Sequence, residues 1–164
     1  GGTEATGPDH IDVAPAAARG RARAARPVLA VADGVLWLVW ERWEAAGGAR
    51  LWAATSTDRG WTWSPPQLLD PGAPPGTQQQ RAALVPASGG AVLVVFEDDR
   101  AGAARVLAVT VGAGGVSEAV RLDDAPAGAA ARAPAVARVD AGAVVVWQDT
   151  RTGADRLRSV HVPI

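Results

Sequence analysis

Three short charged clusters carry the residues that could do chemistry. They are Glu41-Arg42-Trp43-Glu44, Glu97-Asp98-Asp99-Arg100 and Gln148-Asp149-Thr150-Arg151. Each directly follows an aromatic residue: Trp40, Phe96 and Trp147. Two facing carboxylates are what most glycoside hydrolysis requires, and Glu97, Asp98, Asp99 and Asp149 offer candidates, but nothing in the spacing selects a pair. The repeated Asp-x-Arg of Asp98–Arg100 and Asp149–Arg151 equally suits an ion pair bracing a turn. A second set is Arg26, Arg81 and Arg132, each at the start of an apolar run. Grouped guanidinium ions suit a carboxylate, sulfate or phosphate ligand, with Arg100 and Arg151 as further candidates. Trp43, set among charges, is the best candidate for an exposed surface on which a sugar ring stacks, although packing between structural units would explain it as well.

Other chemistries are closed by absence. The 164 residues contain no Cys, Tyr, Met, Lys or Asn. Thiolate and lysine chemistry are therefore excluded, and no disulfide framework exists. His10 and His161 lack a third ligand nearby in sequence, so no metal site is expected, and no cofactor is implied. The formal net charge is −1, which argues against a nucleic-acid partner held by bulk electrostatics. No apolar run is long enough for a membrane helix.

The elements that must position these residues repeat three times. The segments from Arg26, Arg81 and Arg132 each hold an apolar run, a Gly-containing turn and a second apolar run ending in the aromatic. The aromatics stand 56 and then 51 residues apart. Short runs rich in Val, Leu and Trp between turn residues read as strands. Four strands are expected in the first unit, at about 27–32, 35–41, 50–56 and 66–69, and four in the second, at about 82–86, 91–97, 104–110 and 118–122. The third shows three, at about 133–138, 143–148 and 155–162. Residues 10–14, in a segment that aligns with the fourth strands of the other units, are expected to complete it. Four-stranded units at this period describe β-propeller blades, against the alternative of an open stack of sheets. The expected fold is all-β, a single propeller domain over 1–164 with blades at about 27–69, 82–122 and 133–162. Three blades are too few to close a ring, so the chain is expected to be half of a six-bladed ring formed by self-association, or a piece of a longer chain. By residue count, Arg81 and Arg132 are equivalent, each fifteen residues before its aromatic, and Arg26 lies one residue out of register.

Between the third and fourth strands of the first unit lies Ser56-Thr57-Asp58-Arg59-Gly60-Trp61-Thr62-Trp63. It matches the Asp box, Ser-x-Asp-x-Gly-x-Thr-Trp, at every defined position and so resembles the BNR repeats of sialidases and their relatives. Only the first unit keeps the box. Physically, Ser56, Asp58, Gly60, Thr62 and Trp63 read as a structural staple. Asp58 can accept bonds from its own turn, Gly60 can take a positive φ, Thr62 adds a hydroxyl, and Trp63 can pack beneath the hairpin. Strand alternation places the box on the opposite face from the charged clusters. Trp37, Trp40 and Trp147 are expected in the core, and Trp52 and Trp61 between blades.

The resemblance implies a sialidase-like fold, yet the family's catalytic set is missing. Sialidases use a Tyr nucleophile, and this chain has none. Three readings remain: a non-catalytic binding or scaffolding module for a glycan or an anionic small molecule; a glycoside hydrolase active only as an assembly or within a longer chain; and a structural half-ring. A location outside the cytoplasm, secreted or periplasmic, is the expectation that goes with the family resemblance.

Overall fold

The computed structural model describes residues 23–44 and 47–164. The expected closing strand at 10–14 lies outside them. Three antiparallel sheets follow one another along the chain. The first is β1 (Ala24–Ala32), β2 (Val35–Trp43), β3 (Ala49–Ser56) and the short β4 (Gln67–Leu68). The second is β5 (Gln79–Pro86), β6 (Val92–Asp98) and β7 (Arg105–Gly112), with β8 (Gly115–Val116) and β9 (Val120–Arg121) both paired to β7. The third is β10 (Ala131–Val139), β11 (Gly142–Asp149) and β12 (Arg156–Val162). The long strands fall where the sequence pattern puts them.

The sheets stack face to face, and two apolar clusters hold the stack. Trp37, Val39, Leu51 and Ala53 of the first sheet, with Leu69 just after β4, meet Val92, Val94, Phe96, Leu107 and Val109 of the second. The opposite face of the second sheet supplies Val85, Leu93, Val95, Val106 and Ala108 to the third sheet's Ala143, Val145 and Trp147. The middle sheet is thus covered on both faces, which is why every residue of β6 is buried and its sequence reads as a continuous apolar run rather than an alternation. Leu38, Trp40 and Ala54, with Trp52 and Trp63, form a third cluster on the outer face of the first sheet.

The inner hairpins differ in the length of their turns. Asp33-Gly34 turns β1 into β2 with both residues at positive φ (47° and 80°), the backbone that two-residue hairpins need. The third sheet also has a two-residue turn, between Val139 and Gly142. The second has a five-residue loop from Ala87 to Ala91, with one fewer paired position between it and the bulge that follows the strand start.

The 56–63 connection is a closed hydrogen-bond cage. Asp58 accepts from the Ser56 hydroxyl at 2.8 Å, the Thr62 amide at 2.9 Å and the Thr62 hydroxyl at 2.6 Å. The Gly60 amide donates to Ser56 Oγ at 2.8 Å, and Gly60 sits at φ 92°. Trp63 Nε1 donates to the Gly60 carbonyl at 3.1 Å while its ring packs on the outer cluster. Trp61, expected between sheets, is instead 60% exposed, because the cage turns positions 58–62 outward. The second sheet lacks the cage but keeps its base. The Ser64 hydroxyl accepts the Thr55 amide at 3.0 Å, and Ser117 does the same for Thr110 at 2.9 Å.

These bonds hold the Asp58 carboxyl down from 3.8 to about 2, the Thr62 hydroxyl contributing most. A depressed folded-state pKa adds stability that is present above the unfolded value and lost as pH falls through the folded one. Asp58→Asn is therefore expected to lower the melting temperature at neutral pH. The gap from wild type should narrow between about pH 4 and pH 2. A gap that stays constant across that window would show that the carboxylate's charge contributes nothing.

Candidate functional site

The charged clusters sit at the end of the stack opposite the 56–63 cage, as strand alternation requires. Their organising feature is a bulge near the start of each inner strand. Pairing slips after Ala25, Gln80 and Arg132, and the next residues, Arg26, Arg81 and Ala133, adopt φ of 50°, 54° and 51°. A non-glycine residue there carries a strain of about 1–2 kcal/mol. The compensation comes from the preceding sheet. The Arg81 amide donates to Glu41 Oε1 at 2.7 Å, and the Ala133 amide to Glu97 Oε2 at 3.0 Å. The second and third bulges thus each aim an N–H out of their own ladder and into a carboxylate one sheet back.

Each of those carboxylates also pairs within its own sheet. Arg26 Nη1 reaches both Glu41 oxygens, at 3.1 and 2.9 Å. Arg81 Nη1 lies 2.9 Å from Glu97 Oε2, and Gln80 Nε2 donates to Glu97 Oε1 at 3.1 Å. Glu41 is 1% exposed, whereas the Arg26 and Arg81 side chains remain about half exposed. Here residue counting misleads. The structural equivalents are Arg26, Arg81 and Ala133, not Arg81 and Arg132. The five-residue loop and shorter pairing of the second hairpin make the count back from Phe96 one residue long. Arg132 lies opposite Gln148 in the register, where Gln80 and Ala25 stand in the other sheets. The third sheet therefore replaces both members of the Arg–Glu pair, by Ala133 and Gln148.

A second polar layer ties the connections together. Asp98 accepts from the Arg100 amide and Nε at 2.9 and 2.8 Å, and from Arg100 Nη2 at 2.7 Å. Asp149 and Arg151 repeat these bonds at 2.9, 2.8 and 2.8 Å. Each Arg also reaches back to the connection before it, Arg100 to Asp70 and Arg151 to Asp124. Hydrogen bonds from Arg151 lower the pKa of Asp149 and of Asp124. Beneath them the Gln79 side chain, fully buried, accepts from Arg50 Nε at 3.1 Å and donates to Asp70 and Asp98 at 3.1 and 3.2 Å. Arg50 donates further to the Ala73 and Asp70 carbonyls. At the next junction Ala131 stands in place of Gln79, and the Asp123 carboxylate takes the Val106 amide directly at 2.9 Å.

The structure thus brings Arg26, Arg81 and Trp43 to one end of the stack with the bracing pairs of Arg100 and Arg151. Trp43 is 39% exposed at the end of β2, next to Arg42, whose guanidinium lies 4.9 Å from the Trp52 ring centre. Arg132 is half-buried. Sequence reading does not single out Glu41, Glu97, Gln79 or Arg50 as organising residues. The signal for Glu41 and Glu97 is their place immediately after Trp40 and Phe96, where Gln148 follows Trp147; Gln79 and Arg50 carry no such mark. An open cleft of about 420 Å³ beside the middle sheet is lined by Asp70–Gly72, Arg100 and Val116–Ala119. Among the described residues no group of three or more His, Cys, Asp or Glu side chains could hold a metal ion, and no helix is long and apolar enough to cross a membrane.

Removing the Glu41 carboxylate strands the Arg81 amide at a buried junction. Glu41→Ala is expected to destabilise the fold by about 1–3 kcal/mol. Glu41→Gln keeps an acceptor and should recover most of that loss, as Gln148 occupies the same position in the third sheet. Denaturant unfolding of the two variants measures this, and equal losses would remove the amide bond from the account.

No family model matches the chain, and no curated protein matches it in sequence. Solved structures match its fold. The Bacteroides ovatus xyloglucan PUL protein GH43B overlies 84% of this chain with 28% of its own, at 12% identity and TM-score 0.53. The endo-arabinase from Bacteroides thetaiotaomicron VPI-5482 overlies 81% with 53% of its own, at 13% identity and TM-score 0.54. Trypanosoma rangeli sialidase overlies 82% more loosely, at TM-score 0.46 and 11% identity. The chain spans between about a quarter and a half of the length of the first structures it matches. At these identities the likeness is one of fold, and with the three stacked antiparallel sheets it makes the chain a partial β-propeller whose sheets are its blades.

Proposed function

We propose that this chain is a non-catalytic, sialidase-like propeller module that binds a carbohydrate or an anionic small molecule at the end carrying Arg26, Arg81, Arg132 and Trp43. One observation carries the reading: four carboxylates at that end, Glu41, Glu97, Asp98 and Asp149, are committed to the scaffold. Glu41 and Glu97 hold the blade-to-blade amides and their own arginines, and Asp98 and Asp149 hold Arg100 and Arg151. A general acid needs a carboxyl kept protonated near neutral pH, commonly by burial away from cations. Here each of these carboxylates is gripped by a guanidinium. The half-exposed Arg26 and Arg81 and the exposed Trp43 remain as donors and an aromatic surface for a ligand. The resemblance of 56–63 to BNR repeats and the fold likeness to glycoside hydrolases support carbohydrate as the ligand class, and with it a secreted or periplasmic location. Self-association of the partial ring belongs to the same reading.

The test is a glycan array with sialylated and sulfated members, followed by fluorogenic sialosides and arabinosides. Binding without turnover is expected. Trp43→Ala and Arg132→Ala should weaken binding at least several-fold and leave the melting temperature within a few degrees, because neither side chain belongs to the Glu41 or Glu97 junctions. Turnover above buffer that is lost on replacing Asp98, Asp99 or Asp149 would instead favour a glycoside hydrolase.

A further inference from the structure

The two ends of the stack carry faces that are core elsewhere in the same molecule. Registers make Leu51, Val106 and Leu157 equivalent, since each pairs opposite the Glu41, Glu97 or Gln148 position. Leu51 and Val106 are fully buried against the next blade, whereas Leu157 is 75% exposed. Beside it on the same face stand Val144, Val146, Ala137 and Val139. At the other end, Leu29 is equivalent to Leu84 and Val136. Those two pack into the blade junctions, while Leu29 is 60% exposed and Val31, on the same face, 55%. Both exposed faces also carry half of the junction's polar bond. Arg26 holds the φ of 50° whose counterparts each send an amide to the preceding blade. Gln148 stands, exposed, where Glu41 and Glu97 receive those amides.

We propose that the third blade of one copy packs on the first blade of a second copy. The junction places Leu157 over Leu29 and Val31, and Gln148 Oε1 accepts the Arg26 backbone N–H. It continues the two junctions within the chain, which supply both its apolar contacts and its polar bond. A second copy fits the arithmetic of closure, because rings of roughly four to eight blades are usual and six is the multiple of three in that range. The two-fold assembly then contains this junction twice. Gln148 suits the place better than Glu would. Its own blade has Ala133 where the others have Arg26 and Arg81, so a carboxylate there would be buried without its in-blade cation. The proposal rests on the reading above only in taking the partial ring to self-associate.

The experiment is light scattering on the full 164-residue chain at micromolar concentration, with Leu157→Arg and Leu29→Asp as variants. Both positions are exposed, so each variant should keep the wild-type circular dichroism spectrum, its melting temperature falling only by what dimerisation contributes. Wild type is expected to be a dimer and each variant alone a monomer. A one-to-one mixture should dimerise again, because one junction is then intact and the other sets Arg against Asp. Hydrogen exchange should show the Arg26 amide protected in the dimer, like those of Arg81 and Ala133, and exposed in Gln148→Ala. A monomeric wild type would overturn both self-association and this junction. A dimer indifferent to Leu157→Arg and Leu29→Asp, or a mixture that stays monomeric, would overturn the junction alone. Glycan binding is measured separately and is decided by neither outcome.

Discussion

A buried carboxylate that accepts the backbone N–H of the next blade is the interaction on which the architecture depends. Apolar packing brings the sheets together, but it is non-directional and tolerates sliding. Glu41 and Glu97 supply direction. Each fixes one atom of one blade against one atom of the next, at 2.7 and 3.0 Å. The bulge makes this possible, because an N–H engaged in its own ladder could not reach across. The strain of a positive φ at Arg81 and Ala133 is tolerated because the displaced amide finds a charged acceptor, and such hydrogen bonds are stronger than neutral ones.

The same carboxylates explain the placement of the arginines. A buried Glu without a cation would be costly, and Arg26 and Arg81 sit on the bulge itself, where the side chain can fold back over the carboxylate it neutralises. The third blade drops charge and countercharge together, leaving Gln148 and Ala133. The outer layer follows a similar logic with different residues. Arg100 and Arg151 each hold an Asp within their own turn and an Asp from the connection before it, so successive connections are laced together across the top of the stack. The end of the molecule that is richest in ionisable groups is therefore largely a framework, from which Trp43 and the half-exposed Arg26 and Arg81 face outward.

Much of this was legible in the chain itself. The three-fold repeat, the hairpins and the long strands follow from apolar periodicity and turn residues, which act locally. The 56–63 cage could be read residue by residue, because its bonds span at most four positions. The Asp98–Arg100 and Asp149–Arg151 pairs were equally readable, with partners two residues apart. Trp61 was misplaced because nothing local says which way a cage residue points.

Tertiary structure decided whatever depends on a partner far along the chain. The bond from Arg81 to Glu41 spans forty residues and that from Ala133 to Glu97 thirty-six. The equivalence of Arg26, Arg81 and Ala133 appears only when strands are paired, since one longer loop shifts every count made along the sequence. Gln79 shows the same limit. Its amide joins β3, β6 and the connection after β4, and no spacing along the chain marks it. Local patterns determine which segments become strands, because backbone preference and side-chain alternation act over a few residues. Which polar groups become the joints between blades is set by the three-dimensional path that brings one blade's amide to another blade's carboxylate.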